Sequence, residues 1–204
     1  MGELFALIVL PIIFGVAGIS VMMIYEFFLY NFARKAGYTF EPGRFNFFRV
    51  LRPHVLRGSD QGHTVILTYN LGKFLSEGSN SPIIRLEYYL PSHRKIHMSI
   101  TPGFPWEKRA TPSGDKRFDR WVRVKGGPKA FIKELVSDAT IRARLKETIS
   151  PTFKFKGNLK LTPAGPLVLS RNSSILTINL INDDIELLRD IARIIKKYSY
   201  EEAD

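Results

Sequence analysis

The chain has 204 residues, 45% hydrophobic and 24% charged, a composition typical of a globular domain. It contains no cysteine, which excludes disulfides, thiolate metal sites and cysteine nucleophiles. Its 30 Lys and Arg residues outnumber its 19 Asp and Glu residues, and residues 1–30 hold none of the former and two of the latter. Residues 31–204 therefore carry a net charge of +13, which favours an anionic surface or an acidic partner.

An uncharged run opens the chain, from Leu4 to Tyr25. As a helix it would extend ~33 Å, enough to cross a hydrocarbon core. It lacks the basic start and the cleavage site of a signal peptide. No basic residue precedes the run, whereas Arg34 and Lys35 follow it, so the positive-inside rule applies. We therefore predict that residues 1–30 form a retained transmembrane helix with its N-terminus outside and its C-terminus inside.

Two residue sets within and after this run predict membrane contacts. Packing against a partner helix is predicted for the small or kinking residues Pro11, Gly15 and Gly18. A belt at the inner membrane interface is predicted for the aromatic and basic residues Tyr25, Phe28, Tyr30, Phe32, Arg34 and Lys35. Residues 31–50 are predicted to be an aromatic and basic juxtamembrane segment, which either lies on the headgroups or forms the first strand and turn of the folded domain.

Residues 51–204 predict a cytoplasmic α+β domain at the inner (plasma) membrane. Alternating apolar runs predict strands at 64–70, 82–91, 95–102 and 117–126, with further strands after Pro151. Helical spacing predicts a helix after Pro128, a second one capped by Asp138, and a closing helix from residue 183 to about 198. The predicted fold is one N-terminal transmembrane helix followed by a mostly antiparallel sheet with two or three helices packed on it.

The stretch from Gly114 to Leu145 resembles a loosely defined set of uncharacterised bacterial membrane-anchored proteins. The resemblance rests on a Gly-Asp-x-x-Phe-Asp segment followed by a strand and a helix. The matching positions are Gly114, Asp115, Phe118, Asp119, Val124, Leu135, Arg144 and Leu145. The resemblance implies an anchored setting and a β-rich domain, and it implies no activity.

The sequence predicts no catalytic residue, no metal site and no cofactor. His93 and His97 are four residues apart, but neither a third ligand at metal-site spacing nor a HExxH motif accompanies them. No phosphate-binding glycine loop and no nucleophile elbow occurs in the sequence.

A basic cluster between Gly103 and Lys129 is the strongest candidate for a binding surface. Its members are Lys108, Arg109, Lys116, Arg117, Arg120, Arg123, Lys125 and Lys129, interleaved with Trp106, Phe118 and Trp121. Such a patch can bind anionic lipid headgroups or nucleic acid. Tethering to a membrane favours lipid, and no nucleic-acid-binding signature is present.

These patterns favour a single-pass, non-enzymatic, membrane-anchored protein that serves as an accessory or scaffolding subunit of a membrane protein complex and docks through its basic domain. The predicted partners are other subunits of that complex and anionic lipid headgroups. Two alternatives stay open: a membrane-tethered sensor or enzyme acting around Trp106 and the two histidines, and a lipid-binding or nucleic-acid-binding module.

Overall fold

The computed structural model describes residues 20, 23–46, 49–70, 84–90, 96–103, 115–149, 156–163, 165–172 and 176–200. Within these ranges the chain forms two sheets and five helices, and the statements below concern these residues.

The main sheet is antiparallel and eight-stranded, and a two-stranded ribbon accompanies it. The strands are β1 (Thr39–Glu41), β2 (Arg44–Asn46), β3 (Arg49–Arg52), β4 (His54–Asp60), β5 (His63–Tyr69), β6 (Ile84–Tyr88), β7 (Met98–Pro102), β8 (Val122–Lys125), β9 (Lys156–Leu161) and β10 (Leu167–Asn172). The order across the main sheet is β1-β4-β5-β6-β10-β9-β7-β8, and β2 pairs with β3 in the ribbon. The edges of the main sheet are therefore β1 and β8.

The helices are α1 (residues 23–36), α2 (Lys116–Trp121), α3 (Lys129–Ser137), α4 (Ala139–Ile149) and α5 (Ile178–Tyr200). Asp115 caps α2 by accepting hydrogen bonds from the backbone N–H groups of Arg117 and Phe118. Asp138 caps α4 by accepting from Thr140 and Ile141, as the sequence predicts.

One face of the sheet carries the core. A row of paired residues crosses all eight strands on this face: Phe40, Leu56, Leu67, Leu86, Leu169, Leu159, Ile100 and Val124. Helices α4 and α5 contact strands in the centre and at the β8 side, and α1 contacts the β1 side through aromatic rings. The neighbouring row on the other face is mostly polar: Thr39, Arg57, Ile66, Glu87, Val168, Lys160, Ser99 and Lys125. Because successive side chains point to opposite faces, this alternation buries one face of an α+β domain.

The predicted transmembrane helix is wrong. No helix in the described part of the chain combines the length and the apolar character needed to cross a membrane. Most of the uncharged run, residues 4–19 with 21 and 22, lies outside the described residues. Its last residues enter α1, which extends to residue 36 and packs into the core through Leu29, Phe32 and Ala33. The predicted single-pass arrangement falls with it.

Residues 31–50 contribute directly to the folded domain. They supply the end of α1, the strands β1 and β2, and the first residues of β3. Of the two alternatives for this segment, the structure has the strand pair. The pairing of β1 with β4 ties the segment to the strands that follow it.

Two further element predictions need correction. The run 117–126, predicted as one strand, is the helix α2 followed by β8, because the Asp115 cap starts a helical turn that buries Phe118. The closing helix begins five residues before the predicted position 183. Thr177 caps it by accepting a hydrogen bond from the backbone N–H of Leu180. Asp184 consequently lies within the helix and is buried.

Candidate functional site

Helix α1 presents apolar side chains on two opposite faces. Its inner face carries Leu29, Phe32 and Ala33, all buried in the core. Its outer face carries large apolar side chains that are mostly exposed, and we call this set the outer ridge: Met23 (66% exposed), Ile24 (67%), Phe27 (70%) and Tyr30 (52%). Residues three or four apart share a face of a helix, so these side chains form one stripe over two turns. A surface helix packed on a sheet ordinarily has a polar outer face, and exposed apolar patches mark interaction sites.

Aromatic contacts fix which face of α1 points outward. The ring of Tyr25 lies 5.6 Å from that of Tyr69 on β5, measured between centroids. The rings of Phe32 and Tyr38 form a T-shaped contact, with 6.0 Å between their centroids. Because these contacts hold both ends of the helix, turning the outer ridge inward would expose the buried aromatic side chains.

A buried histidine lies beneath the first half of α1. The His54 ring stacks with Phe40 at 5.9 Å and with Tyr69 at 6.4 Å between centroids, and its Nδ1 accepts a hydrogen bond from the Gly43 N–H at 2.9 Å. Burial lowers the pKa of His54, although the nearby Glu26 carboxylate opposes this effect. A neutral His54 thus belongs to the packing beneath the ridge.

Cationic side chains follow the outer ridge along the same helix. Arg34 and Lys35 occupy the last turn of α1 and are exposed. Positive charge near a helix C-terminus is favourable because of the helix dipole. The helix therefore presents apolar side chains from Met23 to Tyr30 and basic ones in its last turn, a combination that suits the boundary between hydrocarbon and headgroups.

The ribbon β2–β3 extends the hairpin β1–β4. Thr39 pairs with Arg57 in the main sheet and Arg44 pairs with Arg52 in the ribbon, and both pairs keep the same register. The two strand pairs are therefore one long hairpin with an interruption at residues 42, 43 and 53. Its outer part, residues 44–46 and 49–52, is an arm that leaves the edge of the main sheet.

The predicted basic cluster lies at the other edge of the sheet. Exposed members are found on α2 and from β8 to the start of α3: Lys116, Arg117, Arg120, Lys125 and Lys129. Arg123 is buried and packs against Gly103, so it does not belong to the surface. Lys108 and Arg109 lie outside the described residues. The edges β1 and β8 are seven strand spacings apart, about 34 Å, so the structure does not bring the cluster together with α1.

The structure places the predicted interface belt on several sides of α1. Phe32 is in the core, Tyr25 and Phe28 are half-buried against it, and Tyr30 lies on the outer ridge. Arg34 and Lys35 are exposed. The predicted helix-packing residues Pro11, Gly15 and Gly18 lie outside the described residues.

A first cavity of about 290 Å³ lies between the end of α1 and α5. Arg189 donates two hydrogen bonds to the Asp60 carboxylate, at 2.7 and 2.9 Å, and the Tyr88 hydroxyl donates a third at 3.1 Å. Burial pushes the pKa of Asp60 up, but the hydrogen bonds from Arg189 and Tyr88 outweigh it, so the pKa lies below its usual value. Through Arg189, the Asp60 carboxylate at the end of β4 links the β4–β5 turn to α5.

A second cavity of about 230 Å³ lies between α4 and the start of α5. At its base the Arg171 guanidinium donates to Asp184 at 2.6 Å and to the Thr148 hydroxyl at 2.9 Å, and all three residues are buried. Burial raises the pKa of Asp184 to about 7, although the Arg171 charge opposes the shift. This ion pair joins β10 to both helices.

The histidines do not form a metal site in the described part of the chain. His97 is exposed, His93 lies outside the described residues, and no group of three metal-binding side chains occurs among the residues that the structure describes. His63 Nδ1 lies 3.2 Å from the Tyr89 carbonyl oxygen, in a contact at the β4–β5 turn.

Sequence reasoning missed the outer ridge and the Arg44–Arg52 pair. The ridge was missed because Met23 and Ile24 lie in the uncharged run and Phe27 and Tyr30 lie just after it, where apolar residues fall on both the outer and the inner face of the helix. The arginine pair was hidden because strand register cannot be read from a short aromatic and basic stretch. The near-symmetry of "RFNFFRVLR" around its centre is the one signal of a hairpin there.

No protein-family model and no curated protein sequence matches the chain. Among solved structures, the chain is similar to the mycobacterial trehalose monomycolate transport factor A, TtfA. The TM-score is 0.48 with 10% identical residues, over 81% of this chain and 90% of that one.

Proposed function

We propose that this chain is a non-enzymatic docking module that rests on the anionic inner leaflet of the plasma membrane through the outer ridge. It serves there as an accessory subunit of a membrane protein complex. The observation that carries the proposal is the exposure of large apolar side chains along one face of a helix whose other face is locked in the core.

The surroundings of the outer ridge favour lipid as its contact. The last residues of the uncharged run, Met23, Ile24 and Tyr25, lie in α1, and Arg34 and Lys35 lie in its last turn. Each basic residue near an anionic leaflet contributes about 1 kcal/mol to binding. The chain as a whole has a formal net charge of +11, which adds a long-range attraction to the same surface.

The remaining surface supports a docking role. With α1 against the leaflet, the basic residues of α2 and β8 lie towards the opposite edge of the sheet from β1, within reach of an acidic protein partner. Each cavity contains a pair that joins two elements, Asp60 with Arg189 in the first and Asp184 with Arg171 in the second. Such pairs fix the shape of a binding module.

A position-resolved fluorescence experiment tests the lipid contact. The natural chain has no cysteine, so Phe27→Cys in the full-length protein introduces one site for an environment-sensitive dye. With vesicles containing phosphatidylglycerol we expect the dye emission to move to shorter wavelength and to be quenched by spin-labelled lipid. Tyr89→Cys, at a 40% exposed aromatic residue that follows β6, is the matched control and should show neither change. Equal responses at both positions would refute the proposed contact of the outer ridge with lipid.

A second experiment tests whether the chain is a subunit of a membrane protein complex. The tagged full-length chain is purified from native membranes in a mild detergent, and stoichiometric co-purifying proteins are identified by mass spectrometry. We expect their yield to fall when Lys116, Arg117 and Arg120 are changed to Glu, and to stay unchanged for Arg57→Glu on the polar face of the sheet. A chain that purifies alone would contradict the accessory role.

A further inference from the structure

The first half of α1 is joined to the sheet by ring contacts that run through one buried histidine. The Tyr30 ring lies 6.3 Å from that of Phe40 on β1, measured between centroids. The Tyr25 ring lies 5.6 Å from that of Tyr69 on β5. Strand β4 lies between β1 and β5, and its His54 ring stacks with both Phe40 and Tyr69. A change in the charge of His54 therefore acts on both contacts of the helix.

A backbone hydrogen bond fixes the protonation state of the His54 ring. The N–H of Gly43 donates to His54 Nδ1 at 2.9 Å, so Nδ1 carries no proton in this arrangement. A protonated imidazole carries N–H groups on both nitrogens, and two donors would then face each other. Turning the ring over would place a carbon at this position and leave the Gly43 N–H without its acceptor. The packed arrangement therefore accepts His54 only in its neutral form.

Burial outweighs the ionisable groups around His54. In the described part of the chain these groups come from three neighbouring elements: Glu26 and Tyr25 on α1, Tyr69 on β5 and Glu41 on β1. Burial raises the pKa of Tyr69, and the Glu41 carboxylate pairs with Arg57. Glu26 favours a proton on His54, but burial has the larger effect, so the pKa of His54 lies below its usual value. A charged His54 is therefore more stable where water reaches it than beneath α1.

We propose that His54 is a pH-sensitive switch for α1: when its ring takes up a proton, the Gly43 hydrogen bond and the ring stack open, and the first half of α1 leaves the sheet. Opening lets water reach the charged ring, which the packed form does not. It also uncovers Tyr25, Phe28 and Leu29, which pack against the core when the helix is closed. The inference goes beyond the proposed function, because the release depends on contacts within the chain and on no lipid. For a helix that contacts a bilayer, mild acid would enlarge the apolar surface on offer.

The test is amide hydrogen exchange of the full-length protein without vesicles, measured by mass spectrometry at about pH 7.5 and pH 5 and corrected for the intrinsic effect of pH on exchange. We expect residues 23–30 to open about 30-fold more often at the lower pH, because the packed form excludes the proton and an accessible histidine has a pKa of about 6.5. His54→Gln can still accept from Gly43 and cannot ionise, so its opening should be equal at both pH values. His63→Gln, at the other histidine of the β4–β5 hairpin, is the matched control and should keep the 30-fold effect.

Equal opening of the natural chain at the two pH values would overturn the inference, and so would a His54→Gln variant that keeps the full pH effect. If that variant does not fold, an NMR titration of the natural chain takes its place. We then expect the His54 ring signals and the amides of residues 23–30 to change over the same pH range, and a titrating ring with unchanged amides would overturn the inference. The dye at position 27 tests lipid contact separately: a dye that stays in water refutes that contact and leaves the switch standing.

Discussion

The buried pair of Arg171 and Asp184 predicts a pH-dependent stability that one substitution removes. The Asp184 carboxyl is almost completely buried, and burial raises its pKa from 3.8 to about 7. Between these two values the native chain holds a proton that the unfolded chain releases. Stability from this group is therefore complete below about pH 4 and is lost as the pH rises to about 7. Three pKa units correspond to about 4 kcal/mol.

Asp184→Asn keeps the hydrogen-bond acceptor for Arg171 and cannot ionise. We expect the variant to match the natural chain below about pH 4, and to be more stable than it by about 2 kcal/mol at pH 5 and about 4 kcal/mol at pH 8. Asp183→Asn is the control at the exposed neighbour on the same helix. Burial is the largest cause of the raised pKa of Asp184 and the Asp183 charge a smaller one, so this variant should keep most of the pH dependence of the natural chain.

The assay is urea unfolding of the full-length protein at pH 5 and pH 8, followed by tryptophan fluorescence. A loss of about 3–5 kcal/mol in Asp184→Asn at both pH values would refute the reasoning. That result would mean that Asp184 is ionised throughout and that the substitution leaves Arg171 buried without a counter-charge.

Substitutions at four further positions test packing and helix capping by urea unfolding. Leu29→Ala, on the buried face of α1, should cost about 2–5 kcal/mol, whereas Phe27→Ala on the outer ridge should stay within about 0.5 kcal/mol; equal losses would contradict the two-faced helix. Gly58→Ala should cost about 1–3 kcal/mol, because the new methyl group would overlap the Tyr38 ring, and an unchanged midpoint would show that the ring moves freely. Asp115→Ala should cost about 1 kcal/mol by removing the cap of α2, and Asp115→Asn should restore it if capping is the cause.

The sheet domain was largely predictable because its strands alternate strictly. The run predicted at 64–70 is β5, His63–Tyr69, and every second residue of β5 from Val65 to Tyr69 is buried. The cap of α4 at Asp138 was predicted from the sequence. The start of α5 was predicted wrongly because two sequence signals compete there. Asp183 and Asp184 predict a first turn by charge, but the Thr177 hydroxyl caps the helix earlier and Asp184 enters the core.

The candidate site was harder to predict because it depends on which residues share a side of the sheet. Composition shows that residues 31–49 mix aromatic and basic side chains, but only strand register brings Arg44 opposite Arg52. Likewise, the apolar character of Met23 and Leu29 is equal in the sequence, and packing alone separates an exposed ridge from a buried face. The basic cluster was recognised as a group, and the chain fold then buried Arg123 within it.

Photo-crosslinking with a lipid probe tests the central claim most directly. The unmodified full-length protein is mixed with phosphatidylglycerol vesicles that carry a photoreactive acyl chain, irradiated, and mapped by mass spectrometry. The account predicts labels on the outer ridge between Met23 and Tyr30 and none on α2 or β8. Labels concentrated on residues 116–125, with residues 23–30 unlabelled, would contradict it.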